Sequence, residues 1–200
     1  LKAIEYAFQP GFIASDLESA VALLGRAVEL DPAFTLAYVR LADAHLQIHW
    51  RVFASNERLK MAENAVETAS SLDPDLPQVR LARGIFHFYG HRDYDAALSE
   101  LEAAKQDLPS DPEVNFLIGL VNRRQGRWDA GLANIRKASH LDPRSGLYCL
   151  EVGTTLAFMR RYEEARYFVK KSVELAPDQE FAYRVLAQVF WAESGDLVQA

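Results

Sequence analysis

The feature that most constrains this chain is a proline that recurs at the end of a similar phrase. Leu-Asp-Pro occupies residues 30–32, 72–74 and 141–143, and Leu-Ala-Pro occupies 175–177. Pro109, Pro143 and Pro177 follow one another at 34 residues, Pro74 and Pro109 at 35, and Pro32 and Pro74 at 42. A period of this length marks a stacked repeat, in which each unit is one supersecondary element that cannot bury its own faces alone.

Inside each period the same marks return. They run Gly119, Trp128, Gly131, Ala138, Pro143 in one repeat and Gly153, Tyr162, Ala165, Ser172, Pro177 in the next. Gly84, Tyr94, Ala97, Ala104 and Pro109 repeat the series, and its second half recurs as Leu59, Ala62, Ala69, Pro74 and as Leu17, Ala20, Ala27, Pro32. Apolar residues keep helical spacing, as in Leu98, Leu101, Ala104, and no segment alternates as a strand. The physical content is two antiparallel helices per repeat, A then B: small residues let them approach, large ones fill the gaps, and proline stops helix B.

These marks predict A helices near 33–49, 76–90, 112–125, 145–159 and 179–193, and B helices near 15–30, 56–72, 93–107, 128–141 and 162–175. Ser15 with Glu18 reads as a capping box, and Asp93, Asp111 and Asp178 as helix caps. The eight extra residues of the second repeat, around Ile48–Asn56, are expected to protrude as a longer turn. Residues 1–8 read as the end of an earlier A helix and 194–200 as the start of a sixth B helix. With Leu1 in place of methionine, the chain is expected to be a piece of a longer protein cut inside repeats at both ends.

Period, small-residue positions, aromatic position and closing proline together resemble the tetratricopeptide repeat family over essentially the whole chain. Departures are local: Arg83 where leucine is usual, Cys149 where tryptophan is common, and Gly131 in place of alanine. The resemblance implies an all-α fold, a right-handed superhelical solenoid of antiparallel helix pairs, as a single domain over 1–200. Its repeats would be bounded at about 1–32, 33–74, 75–109, 110–143, 144–177 and 178–200. The phrases Arg92-Asp93-Tyr94-Asp95-Ala96-Ala97-Leu98 and Arg123-Arg124-Gln125-Gly126-Arg127-Trp128 are similar to arrays found behind bacterial cyclase, kinase or DNA-binding signalling domains. In that setting the chain would be a regulatory segment acting on a covalently linked domain.

The family's usual work is to hold a protein or peptide segment on a concave groove lined by A helices. Carried over by position, the groove residues are Leu36, Val39, Arg40, Asp43 and Gln47 in the second repeat, then Gln78, Leu81, Ile85, Phe88 and Tyr89 in the third. The fourth supplies Phe116, Leu120, Arg123 and Arg124; the fifth Leu150, Glu151, Thr154 and Phe158; the sixth Arg184, Gln188 and Trp191. This stripe is largely apolar and aromatic, which favours an amphipathic helix or an extended apolar segment. Phe88, Phe116 and Trp191 can equally pack between neighbouring helices. Repeats that clamp chaperone tails carry lysine and asparagine where this chain has Val39, Asp43, Leu81, Ile85, Phe116 and Leu120, so that activity is not expected.

Other chemistry is weakly signalled. His45 with His49, and His87 with His91, have a spacing that can put two imidazoles on one face for zinc, but with no acid or cysteine adjacent they read as packing residues. Arg123, Arg124 and Arg127 with Arg160, Arg161 and Arg166 could merge into a basic edge for phosphate or an acidic partner, or simply pair with carboxylates such as Glu163 and Glu164. No phosphate loop, nucleophile elbow or paired-cysteine spacing is present, so no enzyme, cofactor or metal is expected. A net charge of −6 argues against general attraction to nucleic acid or anionic membrane. Charges interrupt every apolar run, and the lone Cys149 suits a reducing, cytoplasmic setting. Exposed apolar faces at the terminal repeats could also drive self-association.

Overall fold

The computed structural model describes residues 14–194, and within them ten α-helices follow one another in sequence. They are α1 Ala14–Leu30, α2 Thr35–Arg51, α3 Asn56–Leu72, α4 Pro77–Ile85, α5 Tyr94–Asp107, α6 Pro112–Arg124, α7 Trp128–Leu141, α8 Gly146–Phe158, α9 Tyr162–Leu175 and α10 Glu180–Ser194. Helix α4 runs on as one π-turn, Phe86–His91. The elements expected over 1–8 and 194–200 lie, except for helical Ser194, outside the described residues.

The chain forms two compact units, Leu1–Leu108 and Pro109–Ala200, divided beside the repeat boundary expected at Pro109. In each unit a helix packs on the next in sequence, A against B and B against the following A. The core of the first unit is built from residues such as Leu17, Leu46, Ile48, Val79 and Leu101, and that of the second from Val114, Ile118, Ile135, Val152 and Leu156.

The small residues sit where helices touch. A Cβ on Gly119 would lie 2.5 Å from Ile135 Cγ1 and 2.9 Å from the Gly131 carbonyl oxygen, and one on Gly153 would lie 2.5 Å from Val169 Cγ2 and 3.0 Å from the Ala165 oxygen. Backbone therefore meets backbone across these two hairpins, closer than any side chain permits.

Helix starts follow local chemistry. Asp93 Oδ1 accepts from Ala96 N–H and Asp111 Oδ1 from Val114 N–H, both at 3.0 Å, as expected. Ser55 and Ser145 cap α3 and α8 in the same way. Two expected caps are corrected. Ser15 is inside α1, and Glu18 reaches Arg58 on α3 instead of its own backbone. Helix α10 begins after Gln179, which leaves Asp178 in the preceding turn.

The insertion is also corrected. The second repeat does not carry its eight extra residues as a protruding turn. Helix α2 has 17 residues against 13 in α6, and α3 has 17 against 14 in α7, so the hairpin is about one helical turn longer with nearly the same turn between. Helix continues because Trp50 and Arg51 keep helical geometry and Ser55 supplies a fresh start. The single extra residue between Pro74 and Pro109 lies between Gly84 and Arg92, where the π-turn takes it up.

Adding a methyl group to these glycines separates the two roles a helical glycine can have. Gly153→Ala should cost about 3 kcal/mol because the helices must part. Gly25→Ala, in α1 with nothing within 4 Å of the new methyl, should gain about 1 kcal/mol from helix propensity. Urea unfolding of the two variants beside the parent checks both signs.

Candidate binding surface

Helices α2 and α4 are neighbours in the first unit. Of their expected groove residues, Val39, Asp43, Gln47, Leu81, Ile85 and Phe88 are buried, Arg40, Gln78 and Tyr89 are half-buried, and Leu36 is exposed. Gln47 Nε2 donates to Asp43 Oδ2 at 3.0 Å. Burial pushes the Asp43 carboxyl above the usual carboxylate range, against the opposing pull of Arg40, the Gln47 hydrogen bond and Arg51. This end of the A-helix face is thus an interior polar contact and offers little to a partner.

The longer hairpin puts Trp50 on the next repeat: its ring lies 5.4 Å from that of Tyr89, and the Arg92 guanidinium sits 5.4 Å above Trp50.

The histidines serve the same hairpin. His49 Nδ1 lies 3.0 Å from Ser55 N–H and 2.9 Å from its carbonyl oxygen, so the ring braces the turn. His45 Nδ1 meets Arg58 at 3.3 Å, and Arg58 also clamps Glu18 at 2.6 and 2.8 Å. His91 packs on Phe86, with ring centroids 4.7 Å apart. Among the described residues no group of three His, Cys, Asp or Glu side chains is gathered as a metal site.

In the second unit Phe116 is only 7% exposed and packs on Tyr148, ring centroids 5.0 Å apart. Leu120 and Leu150 are buried with it, while Glu151 and Thr154 are half-buried. Arg123 crosses from α6 to α8, forming an ion pair with Glu151 at 2.8 Å and donating to Thr155 Oγ1 at 2.8 Å. The residues that reach the surface are Arg124, Phe158, Arg184, Gln188 and Trp191, with Phe158 66% and Trp191 53% exposed.

Sequence reasoning does not single out the contact between Trp128 and Phe158, whose rings lie 6.0 Å apart across neighbouring A–B turns. In the sequence Trp128 reads only as a fold mark, and its 38% exposure has no signal there. Phe181, exposed beneath the Arg184 guanidinium at 4.9 Å, escapes for the same reason. Of the expected basic edge, Arg161 pairs with Glu164 and Arg166 with Glu193. Cys149 is buried, its Sγ 3.6 Å from Ser139 Oγ. No helix among the described residues is long and apolar enough to cross a membrane.

Successive helix hairpins, closed by small residues and stopped by proline, define an all-α repeat protein. No family model matches the chain and no curated protein matches it in sequence. Solved structures match its fold. TTC0263, a thermophilic tetratricopeptide-repeat protein of Thermus thermophilus, is 19% identical with a TM-score of 0.74, over 88% of this chain and 91% of its own. YrrB, a tetratricopeptide-repeat protein with an unusual peptide-binding site, is 22% identical with a TM-score of 0.57, over 85% of this chain and 83% of its own. The human IFIT1 dimer with m7Gppp-AAAA is 19% identical with a TM-score of 0.77, over 92% of this chain and 44% of its own. The fold is that of the tetratricopeptide repeat proteins.

Two measurements test the interior contacts. Burial, then the Arg58 charge, lowers the His45 pKa from 6.5 to about 4, with Glu18 pulling the other way. The unfolded chain therefore takes up the proton first, so this contribution to stability is complete above pH 6.5 and is lost as pH falls toward 4. Melting temperature should drop more steeply over that interval in the parent than in His45→Asn. Glu151→Ala should destabilise by about 3 kcal/mol by leaving Arg123 partly buried beside an empty place, and Arg123→Met combined with Glu151→Leu should recover most of it, as read by urea unfolding.

Proposed function

We propose that this chain is a non-catalytic protein-interaction scaffold that holds a segment of a partner protein on its A-helix faces. The observation that carries the reading is on α10. Phe181, Arg184, Gln188 and Trp191 follow one another at helical spacing and are all exposed, while Ala182, Val185 and Val189 on the other side are buried. A stripe of two aromatic rings, an amide and a guanidinium suits a segment with an apolar face and polar edges. Leu36 on α2 is a further exposed position of the same type. The tetratricopeptide fold supports the reading at the level of architecture, and the peptide-binding site of YrrB is an instance in a neighbour of this fold.

A photo-reactive side chain placed at Gln188 should cross-link a protein partner, whereas the same group at Tyr167, exposed on the B helix α9, should not. Trp191→Ala should weaken that capture roughly tenfold with an unchanged melting curve. Equal cross-linking at both positions, or capture indifferent to Trp191, counts against the proposal.

A further inference from the structure

Three A–B turns share one backbone device. Arg92, Gly126 and Arg160 stand 34 residues apart, and all three have positive φ, at 56°, 77° and 59°. Glycine takes this left-handed conformation freely, but a side chain pays for it in steric strain of about 1–2 kcal/mol. Two of the three turns nevertheless carry arginine. Both arginines stand beside an aromatic pair joining neighbouring turns: Arg92 beside Trp50 and Tyr89, Arg160 two residues beyond Phe158, which meets Trp128.

The two edges differ in what covers them. In the first unit Arg92 lies on the Trp50 ring and closes the pair. In the second unit Phe158 and Trp128 remain exposed, and the exposed Arg160 side chain has no ion-pair partner among the described residues. One more exposed arginine, Arg127, immediately precedes Trp128 and is hydrogen-bonded to Gln125. The nearby Asp129 acts on Arg161, which also holds Glu164, and Glu163 is exposed in the first turn of α9.

We infer that the A–B turn edge of the second unit is a docking surface for an acidic protein segment with an aromatic or large apolar anchor. The anchor would sit on the Trp128 and Phe158 rings, and the carboxylates would meet Arg160 and Arg127. Charge places this partner on the second unit. Residues 1–108 hold sixteen acids against ten bases, whereas residues 109–200 hold twelve of each. An acidic segment is therefore repelled by the first unit and not by the second. A nucleic acid strand would also stack on rings and meet arginines, but a neutral unit inside a chain of net charge −6 supplies none of the broad positive field that phosphate binding draws on. This surface does not depend on the α10 stripe, so either can fail without the other.

The test uses the full chain and a synthetic peptide with one phenylalanine flanked on both sides by glutamates. Titration is followed by calorimetry, with a lysine-flanked peptide, a peptide with alanine in place of the phenylalanine, and a single-stranded RNA as comparators. The acidic peptide should bind, weaken as salt is raised, and lose roughly tenfold in affinity on Phe158→Ser. Arg160→Gly should lower affinity several-fold while leaving the protein at least as stable, because glycine suits the turn. Trp191→Ala should leave this binding unchanged. The proposal is overturned if the lysine peptide or the RNA binds as well as the acidic peptide, if alanine replaces the anchor without loss, or if Phe158→Ser and Arg160→Gly bind like the parent.

Discussion

The structure rests on the close approach of A and B helices at small residues, which in the second unit brings backbone onto backbone. At Gly119 and Gly131 each glycine faces the other's carbonyl oxygen, so a single methyl on either would meet the opposite chain at 2.9 to 3.0 Å. Gly153 repeats the arrangement against Ala165, and a methyl on Gly84 would meet the Leu101 side chain at 2.7 Å. Once the hairpins are closed this tightly, the large residues beside them have one place to go. Ile118, Ile135, Val152 and Val169 fill the remaining space and are fully buried. The small residues set the distance, and the burial that follows provides the stabilisation, at roughly 25 cal/mol for each Å² of apolar surface removed from water.

That constraint explains where the chain tolerates added length. The crossing and the closing proline keep their separation: Ala62 to Pro74, Gly131 to Pro143 and Ala165 to Pro177 are each twelve residues. Added residues accumulate beyond the crossing, toward the A–B turn. Seven of them lengthen α2 and α3, an eighth joins the turn between those helices, and one more is taken up in the π-turn after α4. The period was legible because prolines and small residues interrupt an otherwise ordinary helical pattern. The form of the insertions was not, since no residue in Ile48–Asn56 forbids helix and the spacing of prolines reports only length. The caps at Asp93 and Asp111 were legible from the residue type followed by a helical pattern. Asp178 has the same signature but yields the cap position to Gln179, a difference of one residue that local chemistry does not mark.

The candidate surface was legible in position and much less so in exposure. Leu81, Leu120, Leu150 and Trp191 all lie on A helices at positions carried over from the same family pattern, yet three are buried and one is open. Within a stack, whether such a position faces a neighbour or solvent depends on the size of the side chains across from it, and those come from a repeat roughly 34 residues away. Phe116 shows the effect: Tyr148 on the next A helix is large enough to cover it. Arg123 shows it for charge, because Glu151 lies one repeat on and turns an expected groove cation into an interior pair.

The turn edge is where length, strain and exposure meet. Lengthening α2 and α3 carries Trp50 onto Tyr89 and lets Arg92 close over it, so the first unit uses its extra turn to cover its own aromatic edge. In the second unit α6 and α7 have the shorter lengths, and Trp128 with Phe158 stays open to solvent. The same left-handed turn is therefore sealed in one place and exposed in another, with arginine in both. Strain at Arg92 is offset by its contact with Trp50, whereas Arg160 is held in the same conformation with no such contact among the described residues. A strained conformation that the surrounding fold enforces, without a local contact to offset it, is the kind of position at which a contact with another molecule supplies what the fold does not.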